Sequence, residues 1–237
     1  MIIFTDLDNC LLDSSYSAIS IRDFTHNLIE KGIVISVISS KTSPEINFFF
    51  NEMEFFGPYA AENGGLVVID EEKKELATRS EIIKRDLRNT AKEMNTEIEL
   101  FSEMKNERIK ELTGLPDHLI PLAKGRSYSE PFRFVSGSDE NFLKKIKSLG
   151  YTLFWGGNFY QVYRGSSKGR AVQIIKKKKN GFSIGIGDSI NDYTMLDECD
   201  YPILLGGKKN KKYRSFEGFG PNIWKKAVEK ALEGKNV

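Results

Sequence analysis

The chain has 237 residues, of which 40% are hydrophobic and 29% charged, enough for one large domain or for a core domain carrying a smaller one; this balance excludes disordered and fibrous classes. Thirty-five basic residues against thirty-three acidic ones leave a formal net charge of +2, so bulk charge argues for neither a nucleic-acid coat nor a membrane surface. Two cysteines, Cys10 and Cys199, build no disulfide framework, and neither has a Cys or His neighbour at metal-ligand spacing, which argues against zinc.

The first predicted strand is "IIFTD" (2–6), followed by an amphipathic stretch near 18–31 and a second strand, "GIVISVIS" (32–39). A helical pattern runs from Pro44 to about Phe55, and "YAAENGGLVVI" (59–69) starts extended, turns at Gly64-Gly65 and resumes. Apolar strands separated by helices predict a parallel sheet with helices on its faces. From Thr78 to Glu111 the residues read as helical and strongly charged, and "GLPDHLIPLAKG" interrupts that pattern. An extended "SYSEPFRFV" (127–135) follows, then a helix opened by Ser138 and Asp139 and closed by Gly150, then the pair "YTLFWGG" and "FYQVYRG". Their alternating, aromatic character predicts an antiparallel sheet in an inserted module, with Trp155 packed in that module's own core. The parallel rhythm returns with a helix from Lys168, the strand "FSIGIGD" (182–188), a helix from about Asn191, a short strand "YPILLG" (201–206) and a last helix from about Pro221. No apolar run reaches the ~18 residues needed to span a bilayer. The start of the chain also lacks a basic region followed by a long apolar segment, so a cytoplasmic location is the default expectation. The basic stretches at 176–179 and 206–214 read as solvated helix ends and loops, and no nucleic acid is expected.

Ligands of an open parallel sheet sit beyond the carboxyl ends of its strands. Four strand ends here carry reactive groups: Asp6 and Asp8; Ser39 or Ser40 with Lys41; Lys168 in the glycine-flanked "GSSKG"; and Asp188, Asn191 and Asp192 in "IGIGDSIND". Alternation along a strand places Asp6 and Asp8 on one face, where two like charges repel. Each group alone also has a plain structural explanation: turn punctuation for the aspartates, a helix cap for the serine, a solvated lysine, a carboxylate at a helix start. Together, several carboxylates with a lysine and a hydroxyl suit a hard divalent cation and a transferable phosphate.

In order and context, "FTDLD", Ser39, Lys168 and "GDSIND" resemble the four motifs of the haloacid dehalogenase-like phosphohydrolases, and the resemblance spans the whole core. The long insertion resembles the α/β cap of the Cof-type branch, within which "SSKT", "ENGG" and "YSEPF" resemble the mannosyl-3-phosphoglycerate phosphatases. The resemblance implies an α/β fold: a Rossmann-like parallel-sheet core (1–80 and 163–237) with an inserted α/β cap domain (81–162) containing an antiparallel sheet. It implies Asp6 as nucleophile, Asp8 as acid and base, and Ser39 and Lys168 on the phosphoryl oxygens. Mg²⁺ would be held by Asp6, Asp8 (through its backbone carbonyl) and Asp188, with Asp192 in support. Lys41, Asn63 and Gly64 from the core, with Arg126, Ser129 and Glu130 from the cap, would bind a small phosphorylated sugar–glycerate; oligomeric state is left open. Hinges near residues 80 and 163 would let the cap close over the reaction. One departure stands out: such phosphatases commonly continue the first motif with Gly-Thr, whereas this chain has Asn9-Cys10. Asn tolerates a left-handed turn, so the backbone is expected to survive the change.

Overall fold

The opening run of the chain forms strand β1 (Ile2–Thr5) in the computed structural model of the protein, which describes residues 1–207 and 210–233. All four of its residues are buried, as expected of a central parallel strand covered on both faces, and this is why the run is apolar without alternation. In chain order there follow α1 (Arg22–Glu30), β2 (Val34–Ile38), α2 (Ser43–Met53), β3 (Tyr59–Ala61), β4 (Leu66–Ile69), β5 (Glu72–Glu75), α3 (Ser80–Glu93) and β6 (Ile98–Leu100). The middle of the chain supplies α4 (Asn106–Thr113), α5 (Ile120–Lys124), β7 (Phe132–Phe134), α6 (Glu140–Ser148), β8 (Thr152–Gly156) and β9 (Phe159–Tyr163). The last third supplies α7 (Lys168–Lys179), β10 (Ser183–Gly187), α8 (Tyr193–Leu196), β11 (Tyr201–Leu205), β12 (Arg214–Phe216) and α9 (Pro221–Glu233).

The chain divides into two units, Met1–Lys74 with Ser167–Val237, and Glu75–Ser166. The first contains a sheet of order β12-β11-β10-β1-β2-β3-β4-β5 among the described residues. Strand β1 pairs in parallel with β10 on one side and β2 on the other, with Phe4 opposite both Gly185 and Ser36. Parallel pairing continues to β11, β12 and β3, and β4 then runs back antiparallel along β3. The chain thus leaves β1 toward one edge and later returns on its other side, which opens a topological switch point at the carboxyl end of β1. Helix starts are capped as their sequences suggest. Thr42 and Glu45 form a reciprocal capping box at α2, and Ser167 Oγ accepts from Arg170 N (3.1 Å) at α7.

At the other end of the chain, α9 reaches back to the first strand. Trp224 is fully buried, its indole Nε1 donates to Thr5 Oγ1 (2.9 Å), and that hydroxyl donates to the carbonyl of Asp6 (2.8 Å). Gly220 N donates to the carbonyl of Asn9 (2.7 Å), so both ends of the "TDLDN" turn are tied to the last helix.

The second unit has an antiparallel sheet of order β6-β7-β9-β8. Ile83 and Leu87 of α3 and Phe142 and Ile146 of α6 bury one apolar core with Phe132, Phe134 and Val162 of the sheet. Contrary to what their charged pattern suggested, residues 78–111 are not helical throughout: α3 ends before Asn95, which takes a left-handed conformation (φ 51°), and Ile98–Leu100 form an edge strand paired with β7. Three residues carry too little periodicity to reveal a strand whose partner lies more than thirty positions away. Trp155 departs from its expected packing too, being 58% exposed with its ring edge against Tyr160. Strands β5 and β12 gave no apolar signal because all but Phe216 of their residues are exposed.

In the basic stretch at 176–179, Lys176, Lys178 and Lys179 pair with Asp200, Glu72 and Asp70; Lys208 and Lys209 of the other stretch lie outside the described residues. Among the described residues no helix is long and apolar enough to cross a membrane.

Candidate active site

Strand β1 ends at Thr5, and Asp6 follows with its amide donating to the carbonyl of Ile186 on β10. Its carboxylate is buried: Oδ1 accepts from Leu7 N (2.7 Å) and Oδ2 from Lys168 Nζ (2.7 Å). Lys168 opens α7 with its ammonium 1% exposed, and it donates equally closely to Asp192 Oδ1 (2.6 Å). The other oxygen of Asp192 accepts from the amides of Asp188 (3.0 Å) and Ser189 (3.1 Å). Asp192 is therefore an organiser, joining the lysine to the turn after β10.

That arrangement depends on Gly187. A Cβ there would stand 2.4 Å from Asp192 Cβ and 2.6 Å from its Cγ, so only glycine lets the carboxylate pass beneath the strand end. Gly187→Ala should lower kcat about 10²-fold by displacing the carboxylate that holds Lys168. It should also cost about 1–3 kcal/mol in chemical denaturation through overpacking. Steady-state kinetics and urea titration of the variant check both.

Asp6, Asp188 and Asp192 each offer an oxygen within 4.8 Å of the others. Burial, then the neighbouring carboxylates, push Asp188 up to about 7. Burial likewise raises Asp6 to about 6, against the pull of Lys168. On Lys168 itself burial works toward neutrality, but Asp192 and Asp6 outweigh it and hold the ammonium charged. One lysine leaves the three carboxylates with excess negative charge, and an all-oxygen set of this kind fits a hard divalent cation such as Mg²⁺. Cys10, fully buried, has its thiol raised well above the ordinary value by burial and the nearby carboxylates, which disfavours the thiolate.

Asp8, two residues on, lies in a wide turn closed by Leu12 N donating to Leu7 O (3.0 Å). Its side chain is 38% exposed and pairs through Oδ1 with Lys41 Nζ (3.0 Å). The Lys41 ammonium is buried, lies 3.6 Å from Glu45 and faces the ring of Tyr16. Ser39 is fully buried at the end of β2, where its carbonyl accepts from Asn63 N (2.9 Å). Glu62, Asn63 and Gly64 adopt left-handed conformations in succession (φ 50°, 58° and 87°), a strained turn of the kind found at ligand sites. Asn63 is 1% exposed, and neither its amide oxygen nor its amide nitrogen has a partner among the described residues.

Arg126, Ser129 and Glu130 belong to the second unit. Arg126 Nε donates to Ser129 Oγ (2.9 Å). Glu130 is fully buried, with Oε1 accepting from Ser102 N (2.9 Å) and Oε2 3.8 Å from Lys84. Burial raises its carboxyl above the usual range.

The catalytic-type residues were visible in the sequence as strand-end motifs, but several of their partners were not. The Lys41–Asp8 pair, the Trp224–Thr5 bond and a bond from Asn9 Nδ2 to Asp188 Oδ2 (3.0 Å) join residues that no local motif connects.

Residues 3–115 match the family of haloacid dehalogenase-like hydrolases. The glucosyl-3-phosphoglycerate/mannosyl-3-phosphoglycerate phosphatase of Persephonella marina is 35% identical over 91% of this chain and 88% of its own. The protein of the same name from Methanococcoides burtonii is 32% identical over 99% and 98%, and the mannosyl-3-phosphoglycerate phosphatase of Pyrococcus furiosus is 29% identical over 89% and 93%. Among solved structures, the Thermoplasma acidophilum protein 0175 superposes with a TM-score of 0.75 at 19% identity, covering 98% of this chain and 97% of its own. BT1666 of Bacteroides thetaiotaomicron gives 0.72 at 18%, covering 98% and 94%, and at these identities both speak for the fold. With strand-end carboxylates, a shared lysine and whole-length relatives all in agreement, this chain belongs to the haloacid dehalogenase-like hydrolases.

Proposed function

We propose that this phosphoric monoester hydrolase is a Mg²⁺-dependent phosphatase that converts mannosyl-3-phosphoglycerate to mannosylglycerate and inorganic phosphate through an aspartyl phosphate. The observation that carries the reading is the buried Asp6 carboxylate, held between Leu7 N and Lys168 Nζ at the end of the central strand beside Asp188 and Asp192. Asp6 attacks phosphorus as the sugar–glycerate alkoxide leaves, and Asp8 gives that oxygen its proton. Asp8, now ionised, then takes a proton from the water that attacks the aspartyl phosphate, releasing phosphate and restoring Asp6. Lys168 and Ser39 bind phosphoryl oxygens and offset charge while one anion approaches another. Asp6, the Asp8 carbonyl and Asp188 would hold Mg²⁺, with Asp192 supporting them. When bound, the cation neutralises and orients the phosphoryl group.

For substrate binding we assign Lys41, Asn63 and Gly64 of the first unit and Arg126, Ser129 and Glu130 of the second. Asn63 has the strongest support, since a buried amide with both polar atoms unpartnered calls for a ligand's hydrogen bonds. Glu130 Oε2 likewise has no hydrogen-bond partner among the described residues. A second reading, glucosyl-3-phosphoglycerate as substrate, is favoured by the double names of two relatives.

A panel of phosphate esters assayed with Mg²⁺ tests the proposal. Mannosyl- or glucosyl-3-phosphoglycerate should be turned over with kcat/KM at least about 10²-fold above simple hexose phosphates, a selectivity of the size that buried polar contacts supply. Equal turnover across the panel would refute the glycosyl-phosphoglycerate assignment, and undiminished activity in excess chelator would refute the metal.

A further inference from the structure

We propose that Asn9 is a positioning residue for the cation site: its side-chain amide holds Asp188 by one oxygen and thereby presents the other to the metal. The inference rests on the Mg²⁺ reading above and concerns a residue outside the proposed ligand set. Three observations carry it.

Asn9 Nδ2 donates to Asp188 Oδ2 at 3.0 Å, a bond spanning 179 positions in sequence. The amide can reach because the backbone of Asn9 is left-handed (φ 58°, ψ 4°), a conformation that Asn tolerates without the penalty larger side chains meet. Both ends of the tether are anchored. The Asn9 carbonyl accepts from Gly220 N at the start of the last helix, and the Asp188 amide donates to Asp192.

The charge balance at the site gives the tether its purpose. Asp188 faces the carboxylates of Asp192 and Asp6, and both repel it; the Asn9 amide and Lys168 act against that repulsion. Before a cation binds, repulsion favours swinging the Asp188 side chain away from the cluster. A neutral donor on Oδ2 opposes that swing without adding a positive charge that would compete with the metal. Lysine in the same place would repel the cation, and glycine would leave Oδ2 untethered. Donors that orient a ligating carboxylate raise metal affinity by fixing the ligand before binding.

Mn²⁺ serves as the probe, its binding to the metal-free protein followed by electron paramagnetic resonance. Asn9→Gly keeps the left-handed backbone and removes the amide, so we expect Mn²⁺ affinity to fall about tenfold. In activity assays the Mg²⁺ concentration giving half-maximal rate should rise by the same factor, with kcat at saturating Mg²⁺ near the wild-type value. Asn9→Ser, whose side chain is too short to reach Asp188, should behave alike and serves if the glycine variant unfolds. Unchanged Mn²⁺ affinity in the folded variants would overturn the proposal. So would a lowered kcat at saturating Mg²⁺ with unchanged Mn²⁺ affinity, which would make Asn9 a substrate contact. Wild-type protein that binds no Mn²⁺ would instead overturn the cation reading, and this inference with it. Asp188→Ala locates the probe and is expected to abolish its binding.

Discussion

Asp6→Asn should reduce phosphate release by about 10⁴-fold or more, the scale seen when a covalent nucleophile is removed, and should leave the protein folded. The amide is isosteric with the carboxylate and keeps an oxygen for Leu7 N, which Asp6 Oδ1 now satisfies. The cluster loses one of three carboxylates around a single lysine, so its internal repulsion falls, and Lys168 retains Asp192. Stability should therefore stay within about 1 kcal/mol of wild type, because the lost bond to Lys168 and the relieved repulsion oppose each other. Phosphate assay together with thermal unfolding checks both halves. Near-normal turnover in this variant would eliminate Asp6 as the nucleophile.

Lys168→Met should abolish activity and also destabilise the protein, which separates it from Asp6→Asn. The ammonium is the shared partner of two buried carboxylates, at 2.7 and 2.6 Å. Methionine fills a similar volume but leaves both without their cation. Breaking a buried ion pair from one side costs about 3–5 kcal/mol. In a chain of this size that corresponds to a drop in Tm of roughly 10 °C. The loss should depend on pH. Asp6 already titrates near 6 in the folded protein, above its ordinary value of 3.8, chiefly through burial. A carboxyl raised by folding binds protons more readily in the native state, so stability falls as pH rises from the unfolded to the folded value. Without Lys168 the folded value moves higher still, and the window of loss extends upward. The variant should thus lie closest to wild type near pH 5 and furthest from it near pH 8 in chelator-containing buffer. A pH-independent difference would argue that Lys168 supports the fold by packing alone.

The local signals that proved sufficient share a physical basis. Uninterrupted apolar runs marked β1, β2 and β10 because both faces of a central parallel strand are covered, and Asp139 marked a helix start because unpaired amides there need an acceptor. Strands β5, β6 and β12 escaped because three or four residues on a sheet edge are defined by the neighbour they pair with, and the neighbour is not local. Trp155 escaped for a related reason: alternation says which face a side chain takes and leaves open how far neighbouring elements cover that face.

The site divides along the same line. Asp6, Asp8, Lys168, Asp188 and Asp192 were legible as carboxylates and a lysine at strand ends, since the end of a parallel strand is where chemistry gathers. Sequence alone determined an α/β chain with an insertion and a set of groups suited to a phosphate and a hard cation. Only the tertiary structure decided who partners whom: Lys168 bridging Asp6 and Asp192, Lys41 paired with Asp8, Trp224 bonded to Thr5 across 219 positions, and Asn9 bonded to Asp188. The physical reason is range. Propensity and periodicity act over one turn or one strand, whereas hydrogen bonds and Coulomb forces act over a few ångströms of space, and pairing the strands is what makes those two distances meet.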